Sequence, residues 1–420
     1  MSKSNRKTDP PRILLLGTHF KWNLGVPSMA LGIKEVVSGE LPDAVFTFAG
    51  RAKDENDERE IVESFGFRYF NLSFGKFSTT RAISNAVRTR LFRKPLNPST
   101  NLNQFLNAIN ESDLIIGAQG IMFSDKLGRK TLLDRLFTGK YFGLAKMLKK
   151  PVVQYTADFG PLHERWNRIA AKFWLGRIVD HTICRNMTSK RCLESIGIKS
   201  QKLSFAPDTG FLMKGKESSR TEPFLKLKKN SPVVGVGISH QIRNRMSSTN
   251  EYDGLIVNLC KTLVSDYKVR VLLIPNEMHE NPKVDDYAIG RSIMEEVSDS
   301  SVTLVDAREL SAPELKVIIG CCDAILSSRY HTLVAALSQS VPSIAIGWHH
   351  KYQELFSLFN LAEYVIDYDG DGMLSVKSSF DQLWSSRHDI KQRIGRELPS
   401  VFEKIRSVGR TTLEISGLFG

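Results

Sequence analysis

Short apolar runs recur along this chain, separated by stretches whose apolar residues return every three or four positions. "RILLLG" (12–17), "AVFTFA" (44–49), "DLIIGA" (113–118), "PVVQYTA" (151–157) and "HTICRN" (181–186) predict strands. "PSMALGIKEVV" (27–37), "KYFGLAKMLKK" (140–150) and "NRIAAKFWLGRIV" (167–179) predict helices between them. Strands that are apolar throughout, alternating with helices, predict parallel βαβ units covered on both faces. Residues 214–231, "KGKESSRTEPFLKLKKNS", are polar, charged and carry a proline, which predicts a linker. A second alternating set follows, with strands at 232–239, 269–275, 302–306, 323–328 and 342–347. "SAPELKVIIG" (311–320) predicts a helix with Ser311 as cap and Glu314 closing a capping box. The C-terminal stretch 384–407 predicts one or two amphipathic helices interrupted near Pro399.

The expected architecture is two doubly wound, Rossmann-like α/β domains facing a cleft: 1–213, then a linker at 214–231, then 232–420 with C-terminal helices. At 420 residues, two domains are the natural expectation. Ligands of such sheets sit beyond the carboxyl ends of the strands. No apolar run reaches the length of a spanning helix and no secretion signal is evident, so a cytoplasmic location is expected. Five scattered cysteines (Cys184, Cys192, Cys260, Cys321 and Cys322) fit a reducing compartment and no structural zinc. The net charge of +13 favours an anionic partner. No helix-turn-helix, zinc-finger or RNP-type pattern is present, so no nucleic-acid partner is expected. Phosphorylated small molecules and peripheral contact with an anionic membrane at its inner face remain as expectations.

Chemistry concentrates at "LSSRYHTLVAALSQSVPSIAIG" (326–347), where an apolar strand hands over to a helix. Backbone N–H groups at a helix start carry partial positive charge. Arg329 adds a planar fork suited to carboxylate or phosphate, and His331 is a proton donor near neutral pH. Two readings stand here. Arg329 and His331 bind and protonate a small polyanion, or Arg329 pairs with a structural carboxylate while His331 caps the helix.

With these residues in view, the sequence resembles the polysaccharide pyruvyl transferases. Six segments in order carry the likeness: 14–33, 113–125, 150–162, 184–198, 205–213 and 327–356, the last with the Arg-x-His helix, a Val-Pro strand and a lysine. The chain departs from the family where Val26 replaces the acid of Asn-x-Gly-Asp. It departs again where Gly117-Ala118-Gln119-Gly120 replaces a triple glycine, and where Asn186 replaces an acid. The resemblance implies a fold like the B-type glycosyltransferases and transfer of a pyruvyl group from phosphoenolpyruvate to a sugar, forming a ketal. The acceptor would be a glycan or lipid-linked sugar. No cofactor is expected beyond phosphoenolpyruvate as co-substrate.

Carried onto this sequence, the resemblance implies His331 as acid and Asp125 as base, with Asp208 as second candidate base. Arg329, Tyr330, Arg185 and Lys351 would hold the donor, with Arg185 reaching across the cleft. Asn23 would meet a sugar hydroxyl, and Gly17 and Gly25 would let backbone approach closely. His240, Arg243 and Arg245 in "GISHQIRNR" are further donor-side candidates; His163 and the pair His349–His350 say less. No histidine or acidic spacing suits a metal, so no metal is expected. A nucleotide-sugar glycosyltransferase of the same fold and a non-catalytic glycan-binding relative are the competing readings.

Overall fold

Nearly every apolar run becomes a strand of a fully parallel sheet. The computed structural model describes residues 9–52, 54–72, 79–92, 95–125, 139–246, 248–347, 350–367 and 373–418. The first sheet holds β1 (Arg12–Leu16), β2 (Val45–Gly50), β3 (Arg68–Asn71), β4 (Leu114–Gly117), β5 (Val152–Ala157), β6 (His181–Cys184) and β7 (Leu203–Phe205). Their order is β3-β2-β1-β4-β5-β6-β7. The second holds β8 (Val233–Gly237), β9 (Arg270–Ile274), β10 (Val302–Leu304), β11 (Ala324–Ser327), β12 (Ser343–Gly347) and β13 (Val365–Asp367), in the order β10-β9-β8-β11-β12-β13. In both, the chain starts mid-sheet, winds outward to one edge and returns to wind out the other way. That reversal defines a doubly wound fold, with its switch points at β1/β4 and β8/β11. The inner strands β4, β5, β8 and β11 are buried at every residue, as a sheet covered on both faces requires.

Two compact units contain these sheets. One comprises the chain up to Phe20, Met29–Asp208 and Lys404 onward; the other comprises Lys21–Ser28 and Thr209–Glu403. The second unit thus takes a short early segment, and the C-terminal residues belong with the first. Both features differ from the expected division at 213 and 232.

Two other expectations are corrected. The supposed linker contains a helix, Glu222–Asn230, with proline at its first turn, where a missing N–H costs nothing. The chain before it is docked on the helix Ala312–Gly320. Lys316 donates to the carbonyls of Phe211 and Met213, and Glu314 accepts from Ser218 Oγ at 2.6 Å. Nor does Pro399 end a helix, because Arg387–Ser416 runs straight through it. Ile390, Ile394, Leu398, Val401, Ile405 and Val408 are all buried and continue one helical stripe across the proline. Burying them outweighs a proline cost of about 3 kcal/mol. The capping box of Ser311 and Glu314 forms as expected.

Candidate functional site

At the second switch point, β8 and β11 run side by side and both end in small residues. A Cβ on Gly237 would lie 2.0 Å from Ser327 Oγ, so the strand ends approach as closely as glycine permits. Beyond β8, Ser239 caps a short helix, His240–Arg243. Beyond β11, Ser327 Oγ accepts from the Arg329 N–H at 3.0 Å and sets the turn into the helix Tyr330–Leu337.

Arg329 does not present an open fork. Its guanidinium donates to Glu277 at 2.8 Å, to Asp286, and to the Ile238 carbonyl at 3.3 Å, and it lies 2.8 Å from His240 Nδ1. Asp286 is fully buried and also accepts from the backbone N–H groups of His240, Asn276 and Glu277. Burial alone would raise its pKa. Arg329 and the hydrogen bonds from His240 outweigh that and hold it below the ordinary carboxylate value. Burial would likewise lower the Arg329 pKa, but Asp286 and Glu277 raise it overall. The structural-carboxylate reading of Arg329 is therefore the one its contacts bear out.

His331 has a different setting. It lies one residue into the helix, is half-buried, and sits against the backbone of Gly25. A Cβ on Gly25 would come within 2.2 Å of its Nδ1, so no other residue fits there without moving the imidazole. The Gly25 turn is held in place locally. Asn23 Oδ1 accepts from the Gly25 N–H at 2.9 Å, Leu24 N–H donates to the Asn276 carbonyl, and Asn23 bridges Glu277. Asn23 thus shapes the turn that seats His331. Tyr330 packs edge-on to His331 at 5.6 Å between ring centroids. Lys351, at the start of the helix Lys351–Ser357 beyond β12, places its ammonium 5.4 Å from the Tyr330 ring.

The other candidates have settings of their own within each unit. Arg185, after β6, is buried and ion-paired to Asp158 and Asp208, both in the first unit. Asn186, in place of the expected acid, caps the helix Met187–Ser195 and binds Asp158. Asp125 accepts from the His163 and Glu164 N–H groups and from Asn167 Nδ2, so it organises the start of the helix Arg165–Phe173. Gly17 faces the Phe48 ring, 2.5 Å from where a Cβ would stand. Arg243 pairs with Asp253 through two 2.7 Å bonds, and Arg245 donates to the Gln241 carbonyl. His349 lies outside the described residues.

Glu277 and Asp286 were not singled out from the sequence. Each stands more than forty residues from Arg329 along the chain. The available signal was the polar turn "PNE" ending β9, which meets the same sheet edge. Among the described residues, no His, Cys, Asp or Glu side chains gather as a metal site. No helix among them is long and apolar enough to cross a membrane.

Two reversed parallel sheets of this kind define a Rossmann-like fold of the B-type glycosyltransferase sort, and solved structures agree. UDP-GlcNAc 2-epimerase from Neisseria meningitidis, bound to UDP-GlcNAc, matches with a TM-score of 0.62 at 14% identity, over 96% of this chain and 99% of that one. Anabaena Alr3699/HepE in complex with UDP-glucose matches with a TM-score of 0.59 at 12% identity, over 97% and 100%. These likenesses show the fold alone. The family model for polysaccharide pyruvyl transferase matches residues 26–350, and the chain belongs to that family. Amylovoran biosynthesis protein AmsJ of Erwinia amylovora is 23% identical over 321 residues, 74% of each chain. The protein is a transferase of polysaccharide biosynthesis with a glycan acceptor.

Proposed function

We propose that the chain transfers the pyruvyl group of phosphoenolpyruvate to two hydroxyls of one sugar, and that the chemistry is centred on His331. The observation that carries this reading is the seating of His331: half-buried, at the carboxyl edge of the second sheet, fixed against Gly25. The donor's anionic groups meet the first turn of Tyr330–Leu337 and the Lys351 ammonium. Arg329 is a positioning residue, holding Glu277, His240 and the turn that presents His331.

The reaction balances in two steps. His331 delivers a proton to the methylene carbon of the donor, and a sugar hydroxyl oxygen bonds to C2 as charge develops there. The hydroxyl proton passes to a carboxylate. We assign Glu277, whose side chain is 27% exposed, to accept it. The second hydroxyl of the same sugar then displaces phosphate from C2 and closes the ketal; its proton leaves with the phosphate, and the proton held by Glu277 returns to His331 through solvent. No cofactor takes part in this scheme.

The test is phosphate release from phosphoenolpyruvate against galactose-, mannose- and glucosamine-containing acceptors, with nucleotide sugars as a parallel arm. Acceptor-dependent phosphate release that falls at least hundredfold in His331→Ala supports the proposal. Nucleotide release instead, or full turnover in His331→Ala, overturns it.

A further inference from the structure

Five large hydrophobic side chains are exposed among the described residues: Ile83 (43%), Val87 (41%), Leu91 (70%), Ile169 (61%) and Phe173 (45%). All five lie on two helices of the first unit. Ile83, Val87 and Leu91 follow one another at four-residue intervals along the helix Thr79–Phe92, and so form one stripe. Ile169 and Phe173 do the same on Arg165–Phe173, which continues as Trp174–Ile178. The buried side chains of each helix, such as Ala82, Ala86, Ala171 and Leu175, supply its packing against the core. The exposed stripes are therefore surplus to the fold.

The charge on these helices is one-sided. Thr79–Phe92 carries Arg81, Arg88 and Arg90 and no acid; 165–178 carries Arg165, Arg168, Lys172 and Arg177 and no acid. All seven cationic residues are exposed. The two helices also share a layer. Asn85 bonds Asn103 of the next helix, Asn101–Glu111; Phe105 there meets Tyr141, 5.1 Å between ring centroids. Gly139, on the helical stretch 139–147, lies against the Trp174 ring. Right-handed crossovers put all of these helices on one face of the first sheet. At helix spacings of about 8–10 Å, the two stripes stand roughly 25–30 Å apart in that layer.

We propose that this face docks on an anionic lipid bilayer. Apolar side chains enter the acyl boundary at two footholds, and the surrounding arginines and lysine meet the phosphate headgroups. The choice of occupant follows from composition. The core of a protein interface is depleted of charge. Here the exposed apolar residues sit on two helical stretches, 79–92 and 165–178, that carry seven cations and no acid within them, the pattern of an interfacial helix. Long cationic side chains leave their stems among apolar groups and extend their charge to the headgroups.

The experiment is co-sedimentation of the full-length protein with vesicles of phosphatidylcholine, with and without phosphatidylglycerol, at low and high salt. No donor or acceptor is present, so the outcome is independent of the proposed reaction. The wild-type protein is expected to bind mixed vesicles at least tenfold better than neutral ones, and to lose that binding at high salt. Ile83→Glu/Leu91→Glu and Ile169→Glu/Phe173→Glu are each expected to weaken binding at least tenfold while melting as the wild type does. Equal binding to neutral vesicles, no binding, or unchanged binding by both variants overturns the proposal. So does a concentration-dependent dimer that the same variants dissolve, because the stripes would then be covered by a second copy.

Discussion

Each unit clamps one buried arginine between two carboxylates, at the end of a strand. In the first unit, Arg185 bonds Asp158 and Asp208, and the three side chains are 2%, 1% and 0% exposed. In the second, Arg329 bonds Asp286 and Glu277; Asp286 is sealed but Glu277 is 27% exposed, and His240 beside them is 11% exposed. The first clamp is closed masonry. The second has one wall open to water, and His331 lies on the adjoining turn with its Nδ1 against Gly25 and its Nε2 buried. The two clamps thus share the same groups and differ in the access of water to one partner.

The largest effect should come from breaking the two clamps. Arg185→Ala removes the guanidinium that both buried carboxylates share and should cost about 3–5 kcal/mol, read by denaturant unfolding. Arg329→Ala should cost less, about 3 kcal/mol, because Glu277 can turn to solvent. Equal losses would dissolve the distinction.

Next in size is the contrast between carboxylates. Glu277→Gln should lower turnover about hundredfold with little change in stability. Asp125→Asn should leave turnover intact and cost about 1 kcal/mol, since Asp125 serves the N–H groups at a helix start. The glycines sharpen the comparison further. Gly25→Ala pushes on His331 and should reduce turnover roughly tenfold to hundredfold. Gly17→Ala pushes on Phe48 and should cost about 1–3 kcal/mol of stability with turnover retained.

The smallest effect concerns a buried cation that donates to backbone carbonyls. Burial pulls the Lys316 pKa down to about 8. Above that pH the folded chain has lost a proton that the unfolded chain keeps up to its own, higher pKa. Stability supplied by this group therefore rises with pH from about 8 towards the ordinary lysine value. Relative to Lys316→Met, wild-type stability should gain about 1 kcal/mol per pH unit in that window. A flat difference in thermal unfolding across it would refute the assignment.

Much of the fold could be read from the sequence, because inner strands of a covered sheet are apolar throughout. β1, β4, β8, β11 and β12 all stand out for that reason. The outer strands β3, β7 and β13 were missed. They are three or four residues long, with partly exposed positions, and leave little pattern. Pro399 misled because local propensity was weighed without the apolar stripe that crosses it. At the site, the position of His331 at a strand-to-helix turn was legible, whereas the partners of Arg329 were not. Asp286 and Glu277 reach it only through the winding of β9 beside β8. That the Asp125 carboxylate faces the backbone N–H groups of His163 and Glu164 is likewise not visible in a single sequence.

The passage of Lys21–Ser28 into the second unit sets a rule for anyone who would cut or graft this protein. Residues 209–403 expressed alone would lack the turn that hydrogen-bonds Asn276 and braces His331. A chimera that exchanges the second half for that of a relative would pair a foreign helix with a native glycine. Productive recombination needs the short early segment to travel with the later sheet, so crossover points belong on both sides of it.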